Sequence, residues 1–355
     1  MKRTIRTAAL LVGVIGMLGA QSSLSKIQER TGGVKSAIEQ KSTAHETSIA
    51  DRTKTLEAKI QRLWDRIEKS TRYDYVSYSE DAKKKTKVAF EDGAVTVEVI
   101  DSEKNENRQG MLTSINDRII AVRDDKDAGG DQYLRNQLTE GDMQRARDAT
   151  KRTIYKAPDG ETKVKYTATV PLKKDNMTER ARIYYPYVKK FSQKHGISLD
   201  LTLSIIEVES AFNPYSDNGI AYGLMQLVPD SASDAAKTAL GSKQYISIQQ
   251  LKAPDLNINL GTALLNQFYT YKAYFEPFRD YQYKHELMGV AGYNCGAPRI
   301  RRWIDANRSL LKASDSDFYS ALSASLPYET KRYIVKVPER RAKYQALVAA
   351  VESGN

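Results

Sequence analysis

Glu209 is the residue whose surroundings best suit proton chemistry. On a helix it lies four residues after Ile205, three after Ile206 and three before Phe212, so these side chains share its face. That face is apolar and turns toward a core. Glu207, two positions earlier, is about 200° away around the helix and reads as the solvated member of the pair. Asn213-Pro214 predicts a helix stop just after Phe212, which leaves Glu209 in the last turn, beside unpaired carbonyls and the negative end of the helix dipole. Apolar burial and the dipole both favour the protonated carboxyl. A glutamic acid that keeps its proton near neutral pH is what general acid catalysis on an acetal oxygen requires. A core-edge glutamate paired with an arginine fits the same local pattern, so the stretch around 209 leaves both readings open.

The elements that must position this residue are helical. From about Thr178 onward, Tyr187, Val188 and Phe191 mark one helix that ends at His195-Gly196, and the Glu209 helix follows with a cap near Ser198 or Asp200. Shorter helical stretches lie near Ser231 to Leu240, then a longer one from Asn257 to Phe275 with Leu264, Leu265, Phe268, Tyr271 and Phe275 on its core face. Leu287, Val290, Ala291 and Asn294 share a face of the next, which Gly296 breaks before Pro298 starts another. The last pattern runs from Pro327 to Val351, with a kink or break expected at Pro338.

The first half has a different character. Lys2, Arg3 and Arg6 precede an apolar run from Ala8 to Ala20, the pattern of a secretory signal peptide, with a short uncleaved anchor as the alternative. Gln21 follows Leu18-Gly19-Ala20, so no lipid-modified cysteine is expected there. Residues 22–70 read as a helical spacer, with a short coiled coil or a helix folded against the next domain as alternatives, since Ile49, Leu56, Ile60, Leu63 and Ile67 recur at helical spacing. Residues 71–177 read as a small α+β domain. Val88 and Phe90 lead through Asp92-Gly93 to the alternating Val95, Val97 and Val99, a hairpin signature, and Val164, Tyr166, Ala168 and Val170 alternate in the same way. Between them, Leu112 to Val122 and Tyr133 to Thr153 look helical. Lys83, Lys84, Lys85 and Lys87 read as a solvated edge, and nothing in 71–177 resembles a catalytic constellation.

The chain has 355 residues, a formal charge of +11, 28% charged and 41% hydrophobic residues, the balance of a soluble globular protein with a basic surface. No zinc spacing, P-loop or glycine fingerprint supports a nucleotide or nucleic-acid reading, and the histidines are too scattered for a metal site. No cofactor is expected. A lone cysteine, Cys295, fits an exported chain that does not rely on disulfides.

Three stretches of the helical half occur in a telling order: Glu209-Ser210-Ala211-Phe212-Asn213-Pro214 with Tyr222-Gly223-Leu224-Met225-Gln226-Leu227-Val228-Pro229, then Ala291-Gly292-Tyr293-Asn294-Cys295-Gly296, then Leu326-Pro327-Tyr328-Glu329-Thr330-Lys331-Arg332-Tyr333-Ile334. Together they resemble the soluble lytic transglycosylase (SLT) domain of the goose-lysozyme-like superfamily. The N-terminal half, chiefly Tyr75 to Ile100, looks like the accessory domain of membrane-bound lytic murein transglycosylase C. The resemblance implies an all-α lysozyme-like catalytic domain over 178–355 behind the α+β accessory domain. It also implies an enzyme of the periplasm or membrane-associated envelope of a Gram-negative bacterium. Such enzymes cleave glycan strands of peptidoglycan between N-acetylmuramic acid and N-acetylglucosamine and leave 1,6-anhydromuramic ends.

In that chemistry one carboxyl serves twice. Glu209 would protonate the departing glycosidic oxygen and then accept the proton of the muramic C6 hydroxyl as that oxygen closes on C1, while the substrate acetamido group shields C1. Carried over residue by residue, the resemblance puts Ser210, Met225, Gln226, Tyr293, Asn294, Glu329 and Tyr333 on the substrate. Gly223 would let the backbone turn close to the sugar, and Leu224 with Met225 would floor the groove or merely fill space. Two departures stand out: Cys295 where small residues are common, and a short loop from Tyr215 to Ala221 in which Ser216 or Asn218 takes the place of the family's loop serine. A lysozyme-type hydrolase using water and a non-catalytic cell-wall scaffold are the competing readings. The residues assign no partner to the accessory domain, and membrane association would run through the N-terminus.

Overall fold

The computed structural model describes residues 51–270 and 281–354. The run Ala8 to Ala20, Ile49, Tyr271 and Phe275 lie outside the described residues. Residues 51–63 are helical. The helix stops before Ile67, which is 43% exposed and does not join the apolar stripe expected of it. Residues 65–355 form a separate compact unit, and it carries the site.

The first part of that unit is a five-stranded antiparallel sheet: β1 Asp74–Tyr78, β2 Lys84–Ala89, β3 Ala94–Ser102, β4 Lys151–Lys156 and β5 Thr162–Pro171, in the order β1-β2-β3-β5-β4. The β2–β3 hairpin turns at residues 90–93, where Gly93 sits at φ +70° and donates its N–H to the Ala89 carbonyl at 2.9 Å. Val95, Val97 and Val99 stand opposite Val170, Ala168 and Tyr166. This matched alternation puts one continuous apolar face on the sheet. Helix α1, Arg108–Asp124, covers it with Met111, Ile115, Ile119 and Val122.

Two expectations are corrected in this part. Tyr133 to Thr153 is not one helix: only α2, Glu140–Asp148, is regular, and Lys151–Lys156 is the edge strand β4. That strand is exposed on both faces, so it carries no apolar alternation. Strand β1 escaped for a similar reason, being half-buried throughout. Lys85 is not solvated; it is 4% exposed, forms an ion pair with Glu98 and reaches Glu68 at 3.1 Å.

The second part is helical: α3 Asn176–His195, α4 Leu199–Ser210, α5 Pro229–Leu240, α6 Ile248–Leu251, α7 Pro254–Thr270, α8 Gln282–Cys295, α9 Ala297–Ala306, α10 Asp315–Ser325 and α11 Tyr328–Glu352. Helix α4 buries Leu201, Leu203, Ile205, Ile206 and Val208 and packs against α3 and α11. An apolar helix of this kind belongs in a core. Helix α11 runs through Pro338 without interruption, so the break expected there does not occur.

Sheet and helices share polar contacts that fix their mutual position. The buried Arg180 of α3 donates to the Phe90 carbonyl at 2.8 Å and the Ala211 carbonyl at 2.7 Å, and stacks on the Phe90 ring. Its desolvation pushes its pKa down to about 10. Tyr184 and Tyr187 donate to Asp127 and Asp131 in the Asp/Gly loop, both at 2.8 Å. Tyr215 stacks on Tyr75 and donates to the Lys126 carbonyl. Buried bonds of this type are costly to break, because each leaves a desolvated polar group behind.

Candidate active site

Helix α4 ends at Ser210, two residues earlier than Asn213-Pro214 predicts. Ala211 and Phe212 take left-handed backbone angles, φ +51° and +59°. Non-glycine residues adopt this region at a cost of about 1–2 kcal/mol. Phe212 is held there by stacking on Tyr184 and edge contact with Tyr344, while Arg180 binds the Ala211 carbonyl. Glu209 therefore does lie in the last turn, and it is 5% exposed.

The cation facing Glu209 comes from the stretch ahead of the sheet. Arg72, just ahead of β1, donates through Nε to the Glu209 carbonyl at 2.6 Å and through Nη2 to the Glu209 carboxylate. Its Nη1 reaches Glu329 at 3.2 Å. The cation thus supplies a donor to a carbonyl of the last turn, at the negative end of the helix dipole. Arg72 is itself held, since its own carbonyl accepts from Ser216 at 2.6 Å and from Asn213 at 3.4 Å. Tyr73 donates to the Val208 carbonyl at 2.8 Å. The two readings of Glu209 thus hold together: the carboxyl is buried against apolar neighbours and it has an arginine partner.

Burial dominates its electrostatics. Desolvation holds the Glu209 carboxyl above the ordinary carboxylate range, against Arg72 and Tyr333, which pull it down; the charge of Glu329 adds to the rise. The Arg72 side chain keeps 22% of its surface in solvent, so water screens its attraction more than it relieves the buried carboxyl. Tyr333 is 3% exposed, and its hydroxyl lies close enough to act on the carboxyl without a hydrogen bond of normal geometry. Glu209 is thus the group this buried hydroxyl acts on.

The loop between Tyr222 and Leu227 is a short hairpin closed by mutual backbone bonds of 3.0 Å between those two residues. Gly223, at φ +77°, is required by packing as well as by conformation: a Cβ would collide with the Leu251 carbonyl and the Asn257 side chain. Fully buried Asn257 organises the loop. Its Oδ1 accepts the Met225 N–H at 2.8 Å, and its Nδ2 donates to the Tyr222 and Leu251 carbonyls at 3.0 and 2.9 Å. Ser210 donates to the Ile206 and Leu224 carbonyls at 3.0 and 2.8 Å, so its hydroxyl ties the loop to α4. Met225 is buried against Gly261. Gln226 donates to the Gly223 carbonyl at 3.1 Å and leaves Oε1 buried without a partner.

The other residues implied by the resemblance fall into two groups. Tyr293 donates to the Met225 carbonyl at 2.7 Å, which joins α8 to the loop, and its phenol feels the Glu209 charge. Asn294 accepts from Thr330 at 2.7 Å and so joins α8 to α11. Glu329 is exposed and turned to Arg72. Of the loop candidates, Ser216 is buried on Arg72, whereas Asn218 caps its own turn at the surface. Cys295 is a free, partly buried thiol packed on the helical core. Glu207 is a correction: its side chain is only 10% exposed and pairs with Arg340 at 2.8 Å and Lys343 at 3.0 Å, with Tyr344 donating to it as well. Helix α11 packs over the face that helical spacing alone assigned to solvent.

A cleft of roughly 390 Å³ opens on the other side of Arg72 and Tyr333 from the solvent-shielded Glu209, which does not itself line it; its walls are Arg72, Tyr73 and Glu91 from the sheet part and Val208, Tyr328, Glu329, Arg332, Tyr333 and Lys336 from the helical part. Sequence reasoning missed Arg72, Tyr73 and Asn257. Nothing local marks Arg72, whose partner is 137 residues away. Asn257 did leave a signal, since it shares a helical face with Gly261 and Leu264, and an amide on such a stripe must find partners inside.

Comparison with known proteins bears on both halves. Residues 186–315 match the family described as the transglycosylase SLT domain, and residues 42–128 match the N-terminal domain of membrane-bound lytic murein transglycosylase C. A membrane-bound lytic murein transglycosylase C of Glaesserella parasuis is 28% identical over 313 residues, 81% of this chain and 84% of the relative. One from Salmonella arizonae is 28% identical over 302 residues, 77% and 82% of the two chains. Among solved structures, the 70 kDa soluble lytic transglycosylase of Escherichia coli aligns over 49% of this chain and 26% of its own, with 27% identity and a TM-score of 0.39.

Proposed function

The chain belongs to the lytic transglycosylases, enzymes acting on peptidoglycan, and on that premise we propose that Glu209 is its catalytic acid and base. The observation that carries this reading is a carboxyl at the end of α4, 5% exposed and raised in proton affinity by burial, with the buried hydroxyl of Tyr333 turned to it. Protonated Glu209 gives its proton to the glycosidic oxygen as the C1–O4 bond breaks. The resulting carboxylate then takes the proton of the muramic C6 hydroxyl as O6 bonds to C1. No water is consumed, and the acid is returned to its starting state.

The loop supplies the remaining parts of the reading. Gln226 offers a buried amide oxygen without a partner to an acetamido N–H. Tyr293 and Asn294 brace the loop and α11 around the acid, and Ser210 with Met225 fixes the floor beneath it. Glu329 and Tyr333 contribute from α11, the first through Arg72 and the second beside the carboxyl. The protein is associated with the envelope of a Gram-negative bacterium, in keeping with the membrane-bound relatives. A periplasmic position, reached through the signal or anchor between Lys2 and Ala20, belongs to the same proposal.

Digestion of purified peptidoglycan, followed by weighing of the released muropeptides, tests this. Products one water lighter than reducing-end fragments are expected from the wild type. Glu209→Gln should lower release by about 10²–10⁴-fold, the usual contribution of a general acid or base. Reducing ends would replace the proposal by hydrolysis, and an unimpaired Glu209→Gln would remove the acid from its role.

A further inference from the structure

We propose that Arg72, supplied by the accessory domain, is a positioning residue for the reaction: it clamps the Glu209 carboxyl at the end of α4 and supplies the charge opposite it. The inference rests on reading Glu209 as the acid. It gives the accessory domain a direct part in the chemistry, beyond tethering.

The geometry is that of a two-point clamp with a third anchor. One guanidinium takes both the backbone carbonyl and the side-chain carboxylate of Glu209, while Nη1 is held by Glu329 at 3.2 Å. A planar fork that grips backbone and side chain of one residue leaves that carboxyl little rotational freedom. Behind the fork, Ser216 and Asn213 hold the Arg72 carbonyl, and Tyr73 is bonded to Val208, so the clamp is anchored to the helical domain on both sides.

The groups that face Glu209 come from several elements. Arg72 and Tyr73 precede β1, Tyr293 is on α8, and Glu329 and Tyr333 are on α11, with Arg332 and Lys336 further along the same cleft. Glu207, on the same helix, turns away toward Arg340 and Lys343. Arg72 is thus the cation in direct contact with the carboxyl. It opposes the burial that favours the neutral acid, and it is already in place when Glu209 has given up its proton and must carry a charge before the second step. A single group thereby balances the two protonation states that the reaction alternates between.

The pH dependence of kcat/KM on soluble glycan strands, compared for the wild type, Arg72→Gln and Arg72→Lys, tests the proposal. Glu209 must start protonated, so activity falls on the alkaline side as it ionises. Without the cation, ionisation needs a higher pH. The alkaline limb of Arg72→Gln is therefore expected to move up by at least about one unit, the low end of what an adjacent opposite charge does to a carboxyl. Its plateau should drop roughly 10- to 100-fold through loss of positioning. Arg72→Lys keeps the charge but cannot grip two oxygens in the same way, so its limb stays near that of the wild type while its plateau falls, mainly in kcat. A residue that only docked the two domains would lower the plateau without moving the limb of Arg72→Gln.

An Arg72→Gln limb that superimposes on the wild type, or moves down, overturns the electrostatic part. A full plateau in Arg72→Lys overturns the clamp, and this outcome can be read even where Arg72→Gln does not fold. Titration of the Glu209 carboxyl carbon by NMR measures the same displacement without turnover. An active Glu209→Gln would sink the acid assignment itself; an inactive Glu209→Gln with an unmoved Arg72→Gln limb sinks this inference alone.

Discussion

Replacing Asn257 by alanine is the sharpest test of how the loop beside the acid is held. The wild-type amide serves the Met225 N–H at 2.8 Å and the Tyr222 and Leu251 carbonyls at 3.0 and 2.9 Å, in a site with no solvent exposure. Alanine leaves these groups unequally affected. The Tyr222 carbonyl keeps the Leu227 N–H at 3.0 Å, whereas the Met225 N–H loses its acceptor. One orphaned N–H costs about 1–3 kcal/mol, the Leu251 carbonyl costs about 1 kcal/mol more, and the small void adds about 1 kcal/mol. A loss of about 3–5 kcal/mol is expected in urea unfolding, together with slower clearing of peptidoglycan because Gln226 rides on the freed loop. Asn257→Asp sharpens the point. It keeps the acceptor for Met225 but turns an oxygen toward two carbonyl oxygens, unless that carboxyl is protonated. Its folded-state pKa is then raised, so the folded form binds the extra proton and the variant loses stability as pH rises. Its deficit should therefore shrink on acidification. An Asn257→Ala protein within about 1 kcal/mol of the wild type and equally active would refute the reasoning, as would an Asn257→Asp deficit that ignores pH.

Two further outcomes follow from the same site. Because the folded-state proton affinity of Glu209 is raised, its contribution to stability declines as pH climbs from about 4.5, the ordinary value, through the folded value. Glu209→Gln lacks that titration, so its stability relative to the wild type should rise across this window, by about 1.4 kcal/mol for each unit of upward shift; parallel urea midpoints from acid to neutral pH would contradict this. Gly223→Ala should lose about 2–4 kcal/mol, combining a left-handed alanine with overpacking against Leu251 and Asn257, and a thermal melt at the wild-type midpoint would show that the loop can relax.

Much of the scaffold was legible along the chain. Alternating valines on β3 and β5 announce a half-buried sheet, because a strand side chain reports its own face every second residue. The same holds for the helix ends at His195-Gly196 and Gly296, which are local conformational events. Elements without a one-sided pattern were lost, as with β4, whose residues are exposed on both faces. Glu207 was misjudged for a related reason. Its helical face is right, but the charges of Arg340 and Lys343 arrive on α11 from more than a hundred residues away.

For the site itself, local order determined that Glu209 lies on an apolar face at a helix end, since those are properties of a few consecutive residues. Only the tertiary structure decided how that carboxyl is balanced. Burial depends on α11 closing over α4, the cation comes from Arg72 just ahead of β1, and Tyr333 brings a hydroxyl with no other partner. Proton affinity is set by desolvation and by charges within a few ångströms in space. Separation along the chain places no limit on which residues supply them, so the sequence marks the carboxyl and the fold sets its proton affinity.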